Sequence, residues 1–232
     1  MTLQEILPTL FPDGHQIESD ANVIYGEGCT AAGTVAIIGT NNHTTIGIKE
    51  VLALSRRFIQ VMKEFPDRPI LMLVDNNGQR MALEDELLGL NQYIAHLVKL
   101  QDQARRRGHQ VVALVYGNSI AGGFIAFGLC AGHTYALPDS NTSVMILPAI
   151  ARVTKLPLEY LEELSQTVAV FAPGVKNFYQ TGGIEHIWEG NLNACLEEAL
   201  RADQATDRRA ELGAQRGGRQ LAIEVISKVV NA

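Results

Sequence analysis

Cysteine is scarce in this chain. Cys29, Cys130 and Cys195 are too few and too scattered for a disulfide framework or a zinc site, and they suggest a reducing compartment. Charge of either sign is modest: 19 basic against 25 acidic residues leave a formal charge of -6, with no basic stripe for a nucleic-acid groove. The longest basic run, Arg105-Arg106-Arg107, falls at the end of an expected helix, where cations complement the helix dipole. No Gly-Lys-Ser/Thr occurs, which removes a P-loop. The six histidines (His15, His43, His96, His109, His133, His186) form no H-x-H or H-E-x-x-H pattern, so no metal site is expected. No apolar run reaches the roughly 18 residues of a membrane helix; the glycine-rich stretch Ile120–Ala131 gives twelve. The opening "MTLQEILPTLFPDG" lacks the basic region and long apolar core of a secretory signal. A soluble, cytoplasmic protein is expected. With 232 residues, 47% of them hydrophobic, and no repeat or Pro/Ser-rich linker, one domain spanning 1–232 is expected.

What is present is a series of strand, loop and helix. "NVIYGEGCTAAGTVAIIG" contains two β-favouring runs around a turn. A helix is expected from about Ile46 to Phe65, with Ile48, Val51, Leu52, Phe58, Ile59 and Met62 on one face. "PILMLV" (Pro69–Val74) and "VVALVY" (Val111–Tyr116) are continuously apolar, as in strands buried on both faces. Between them a long helix is expected from about Leu83 to Arg107, striped by Leu87, Leu90, Ile94, Leu97 and Val98 and stopped by Gly108. "HTYALP" reads as a short strand. The remainder reads as mainly helical near Leu158–Leu164, Gly174–Thr181, Leu192–Ala205 and Arg208–Val230. The apolar end of the last segment (Leu221, Ile223, Val225, Ile226, Val229, Val230) could close the core or cover a partner, and core packing is the expectation. "TNNHTT", "DNNGQR" and "GNSIAGG" read as the loops joining strand to helix. This is an α/β series, in which ligands gather where strand ends meet helix starts.

The motifs narrow the chemistry. "GEGCTA" (Gly26–Ala31) matches G-x-G-x-x-A, but β-type sequence follows it where a dinucleotide fingerprint must open a helix. "GNSIA" (Gly117–Ala121) resembles a nucleophile elbow, with Ala121 where the last glycine belongs; Ser119 also fits a helix cap or loop hydrogen bond. Gly122-Gly123 would lie at a helix start, after a buried strand, where free amides point outward and a missing Cβ admits a flat carbonyl. Such donors stabilise an enolate or tetrahedral oxyanion. The same pair also suits close packing of a helix on a strand, and the residues alone leave both readings open.

At these residues a family resemblance emerges. "VYGNSIAGGFIAFGLCAGHTYALPDSNTSVM" (Val115–Met145) resembles the core of the acyl-CoA carboxyltransferases within the crotonase superfamily, and "LMLVDNNGQR" resembles that family's other active-site turn. "LPAIARVTKLPLEYL" and "VKNFYQTGGIEHIW" are more narrowly similar to the gamma subunits of biotin-independent malonate decarboxylases. The resemblance implies a ClpP/crotonase-like spiral of ββα units with a helical C-terminal part. It implies a site shared with a beta subunit, in a complex that also holds an acyl carrier protein and an acyltransferase alpha subunit. The reaction implied converts a malonyl thioester, carried on a CoA-like (phosphopantetheine-type) prosthetic group of the carrier, into an acetyl thioester and CO2.

Carried over by position, Gly122 and Gly123 match the oxyanion-hole glycines, and Gly78 and Gln79 match the other turn. Asn118, Ser119 and Ser143 are candidate substrate-binding residues beside them. Related carboxyltransferases soon reach a glutamate after the Ser-Val segment, whereas no carboxylate occurs from Ser140 to Pro157 here; ClpP-type peptidases carry their nucleophile where this chain has Ala121. Loss of CO2 creates the enolate without a base, so the missing acid suits decarboxylation. Two alternatives stand beside this one: a biotin-dependent carboxyltransferase alpha-type subunit, and a non-catalytic subunit that supports the beta chain. The sequence leaves open whether the glycine amides meet a carboxylate, an enolate or a water.

Overall fold

The computed structural model describes residues 1–168, 173–218 and 220–231. The chain opens with helix α1 (Leu3–Leu10), which the sequence reading did not anticipate. Thr2 and Glu5 cap it reciprocally, and Leu3, Ile6, Leu7 and Leu10 are buried. Strands β1 (His15–Asp20), β2 (Val23–Thr30) and β3 (Gly33–Thr40) form an antiparallel meander. β1, also unanticipated, is the sheet's outer edge; it is polar, and mostly exposed.

From β3 onward the pairing is parallel, running through β5 (Ile70–Gln79), β6 (Val111–Ile120), β7 (His133–Ala136) and β9 (His186–Ile187). The two apolar runs became strands because both faces are covered. Ile70, Met72, Val74, Val111, Ala113 and Val115 face one core with helices α2 (Ile48–Glu64) and α4 (Leu90–Arg106). Leu71, Leu73, Val112, Leu114 and Tyr116 face the other, covered by α1 and α9 (Leu192–Arg201). Alternation along a strand sends successive side chains to opposite faces, so each run must be apolar throughout.

The structure alters several expectations. β5 and β6 do not stop at Val74 and Tyr116: "DNNGQ" and "GNSI" continue them as strand. These extensions, with β4 (Thr44–Ile46) and β8 (Asn141–Ser143), make a second short ladder, β4–β5–β6–β8, above the first. Between Val74↔Val115 and Asn76↔Ser119 the register slips, leaving two more residues in β6 than in β5. The buried Asp75 carboxylate fills this step. It accepts Asn118 N at 2.8 Å and His43 N at 2.9 Å, and only glycine fits opposite it at Gly117. Each spiral turn is therefore strand, bend, short strand and helix, the expected ββα repeat.

The expected helix over Leu83–Arg107 is two helices, α3 (Leu83–Leu87) and α4, separated at Gly89 with φ +80°. Leu87, assigned to the buried stripe, is exposed on α3. The C-terminal part is helical as expected. It consists of α6 (Leu147–Thr154), α7 (Leu158–Thr167), α8 (Val175–Gln180), α9, α10 (Arg209–Gln215) and α11 (Gln220–Val230). Gly217 (φ +75°) divides the last two. The expectation that the α11 tail packs on the core is overturned: Val225, Ile226, Val229 and Val230 are 50–76% exposed. Leu221's side chain lies outside the described residues. No helix among the described residues is long and apolar enough to cross a membrane.

Candidate functional site

β6 ends at Ile120 and turns at once into α5 (Ala121–Phe124), which widens into π-type turns over Ile125–Leu129. Ala121 makes the corner in the left-handed region, φ +47°, which a Cβ makes costly by about 1–2 kcal/mol. At the end of β5, Gly78 also has positive φ (+85°), and its N–H donates to Asn76 Oδ1 at 3.1 Å. The two corners lie against each other. A Cβ on Gly123 would overlap Asn76 Oδ1 and come within 2.9 Å of Gly78 Cα. Gly123 therefore permits a close backbone approach, as the packing reading of the glycine pair expected.

Gly122 differs. It is half-buried, and its N–H donates to Gln79 Oε1 at 2.9 Å. The first amides of a helix have no intrahelical partner, and here the facing turn supplies one from a side chain. So Gly78, Gln79, Gly122 and Gly123 form one contiguous group, although 43 residues separate Gln79 from Gly122.

The remaining candidates sit on the same short ladder at different depths. Asn118 is half-buried; its Nδ2 donates to Asn77 Oδ1 at 2.7 Å. Ser119 pairs with Asn76 on one side and Thr142 on the other, and Ser143 pairs with Ile120. Asn76, Ser119 and Thr142 are fully buried and Ser143 is 2% exposed. Asn76 Nδ2, Ser119 Oγ, Thr142 Oγ1 and Ser143 Oγ have no hydrogen-bond partner among the described residues. Ser119 thus points into the interior beside Gly128, away from solvent.

A charged clamp that sequence reading missed holds the Gln79 turn. The Arg80 guanidinium grips both oxygens of Asp85, a carboxylate 2% exposed at the start of α3, and lies over Gly47. Asp85 Oδ1 also accepts Ile48 N at 3.4 Å, and Arg80 N donates to Ile46 O at 2.9 Å. The Arg80 contact holds the Asp85 carboxyl below its ordinary pKa, against the opposing effect of burial. The spacing Arg80 to Asp85 carried no motif; only the fold joins them. Exposed apolar residues follow each of these turns in the chain. Met81, Leu83, Leu87 and Leu88 follow Gln79, Ile125 follows Gly123, and Val144, Met145 and Ile146 follow Ser143; all are exposed.

A family model described as the malonate decarboxylase gamma subunit matches residues 41–232. The chain belongs to this family. A curated relative from Malonomonas rubra, named malonyl-S-ACP:biotin-protein carboxyltransferase MADD, is 35% identical over an alignment of 176 residues that covers 69% of this chain and 60% of that one. Among solved structures, a Pseudomonas malonate decarboxylase hetero-tetramer in complex with coenzyme A matches with TM-score 0.77 over 97% of both chains at 22% identity. A Pseudomonas MdcD-MdcE hetero-dimer matches with TM-score 0.72 over 94% of this chain and 97% of that one, again at 22% identity. A transcarboxylase 12S core matches with TM-score 0.71 at 13% identity, over 86% of this chain and 41% of that one. The gamma-subunit family thus shares the carboxyltransferase, crotonase-like fold that the spiral displays.

Proposed function

We propose that this chain is a subunit of a malonate decarboxylase that converts malonyl-S-acyl carrier protein into acetyl-S-acyl carrier protein and CO2. The site lies at the boundary with a beta subunit, in a complex that also includes the acyl carrier protein and an acyltransferase alpha subunit. The observation that supports this reading is the docking of the Gly78-Gln79 turn against the Gly122-Gly123 helix start, each turn followed in the chain by exposed apolar residues. In the reaction the bond from C2 to the carboxylate breaks and its electron pair enters the thioester carbonyl. CO2 leaves, and the enolate takes a proton at carbon. The paired turns hold the enolate oxygen; each such donor is worth roughly 10²–10³ in kcat. The segment from Ser140 to Pro157 has no carboxylate, which suits a step that needs no base. The phosphopantetheine-type thioester enters as substrate, on the carrier. The exposed apolar residues on α3, before α6 and at Ile125 are what a partner subunit would cover.

One observation favours a second reading. The 35% identical relative is named as a transferase to a biotin protein. Both reactions break the same bond and differ in where CO2 goes. Avidin added to the assembled complex distinguishes them: CO2 release that persists supports decarboxylation, and release that stops supports transfer through biotin.

The site itself is tested by Gly122→Val in the assembled complex. The new side chain would meet Gln79 Oε1 at about its Cβ, which lies 2.8 Å away. Turnover is expected to fall at least 100-fold with assembly intact. Normal turnover would leave the chain a non-catalytic support for the beta subunit.

A further inference from the structure

A backbone N–H can only donate, so the group 2.9 Å from Gly122 N must be the carbonyl oxygen of the Gln79 carboxamide. That fixes the orientation of the side chain: Oε1 faces Gly122 and Nε2, with two N–H donors, is turned off it. The Gly122 amide, which position alone nominates as the donor to an oxyanion, is already engaged. Gln79 is held from both sides. Its backbone pairs with Ile46 in the short ladder, and the next residue is locked by Asp85. It is half-buried, at the meeting point of the two turns.

We infer that the Gln79 carboxamide is the catalytic donor of this chain: Nε2 meets the thioester oxygen as it gains charge, and Gly122 N–H acts through Oε1. This rests on the decarboxylase reading above and names the atom that serves it. A carboxamide whose oxygen accepts a hydrogen bond is a stronger donor at nitrogen, because chained hydrogen bonds polarise one another. Gly122 and Gly123 then have separate tasks. Gly122 orients and polarises Gln79, and Gly123 lets the β5 corner approach.

Three variants, each assayed as the assembled complex on malonyl-carrier protein, test this. Gln79→Ala removes the donor and uncovers the Gly122 amide; kcat is expected to fall 10²–10³-fold, with KM changed less than threefold. Gln79→Glu keeps the size and the contact to Gly122 but offers no donor while ionised. Its activity is expected to be as low at pH 7, and to rise as pH falls toward the carboxyl pKa, where a neutral acid regains an O–H donor. Wild-type turnover falls or stays flat over the same range. Gln79→Asn, one methylene short, is expected to lose activity like Gln79→Ala. A Gln79→Ala complex that equals or exceeds the wild type in kcat would overturn the inference, since the side chain would then only plug Gly122. If Gly122→Val is inactive in that case, the decarboxylase site survives without Gln79; if both variants turn over normally, the site reading itself fails.

Discussion

Ser119 and Ala121, two residues apart, divide between them the features of a nucleophile turn. The strained corner belongs to Ala121, which has no nucleophilic atom, while the hydroxyl of Ser119 is sealed inside the ladder without a partner among the described residues. A buried hydroxyl left unpaired costs about 1–3 kcal/mol, so its removal relieves more than it loses. Ser119→Ala is expected to leave the melting temperature unchanged or raised, and turnover intact, as measured by calorimetry and CO2 release. A drop in either shows that the hydroxyl has a partner in the assembled enzyme. Part of this site was legible in the residues. The Gly122-Gly123 pair announced a close approach after a buried strand. The Gln79 contact was not legible, because a side-chain oxygen reaching a helix start 43 residues away leaves no trace in spacing.

At the scale of elements, the clamp between the start of α3 and the end of β5 is the most exposed to solution conditions. Asp85 is ionised when paired with Arg80, and its pKa is depressed in the fold. A depressed carboxyl stabilises the fold above its unfolded pKa, near 3.9, and loses that contribution as pH falls through the lower folded value. Asp85→Asn is therefore expected to melt about 4–8 °C below the wild type at pH 6, from about 2 kcal/mol of lost charged hydrogen bonding. The gap should close below about pH 4, followed by thermal melts across pH. A gap independent of pH would mean that shape rather than charge sets the clamp. The same region shows why element boundaries resisted reading. "DNNGQ" has the composition of a loop, yet its neighbours β4 and β6 supply ladder partners, so tertiary pairing overrides local preference. Gly89 interrupts a stripe that continues convincingly on either side, and Leu87 follows the helix period while facing solvent. The apolar runs of β5 and β6 were legible because burial on both faces leaves no room for polar residues.

For the whole molecule, two groups of exposed apolar side chains stand out among the described residues. One is the collar around the paired turns; the other is α11, whose Val225, Ile226, Val229 and Val230 touch solvent despite the core-like sequence. Hydrophobic patterning says that a face is to be covered, not by what. Deleting residues 220–232 is expected to shift the melting temperature of the isolated chain by less than about 3 °C, because surface side chains contribute little to the fold. A large shift would return α11 to the core. In the assembled complex, amide exchange is expected to slow in residues 81–88 and 144–156 relative to the chain alone, and exchange that is the same in both would remove the collar from the interface.

The outer strand β1 gives the molecule a polarity of association. Its exposed backbone edge is lined by His15, Gln16, Glu18, Ser19 and Asp20, a row that disfavours strand-to-strand addition by another copy. The adhesive surfaces, the collar and α11, therefore lie on helices and turns, and the open sheet edge is not one of them. Such a subunit associates through side-chain surfaces and is unsuited to building a fibre by extending its sheet.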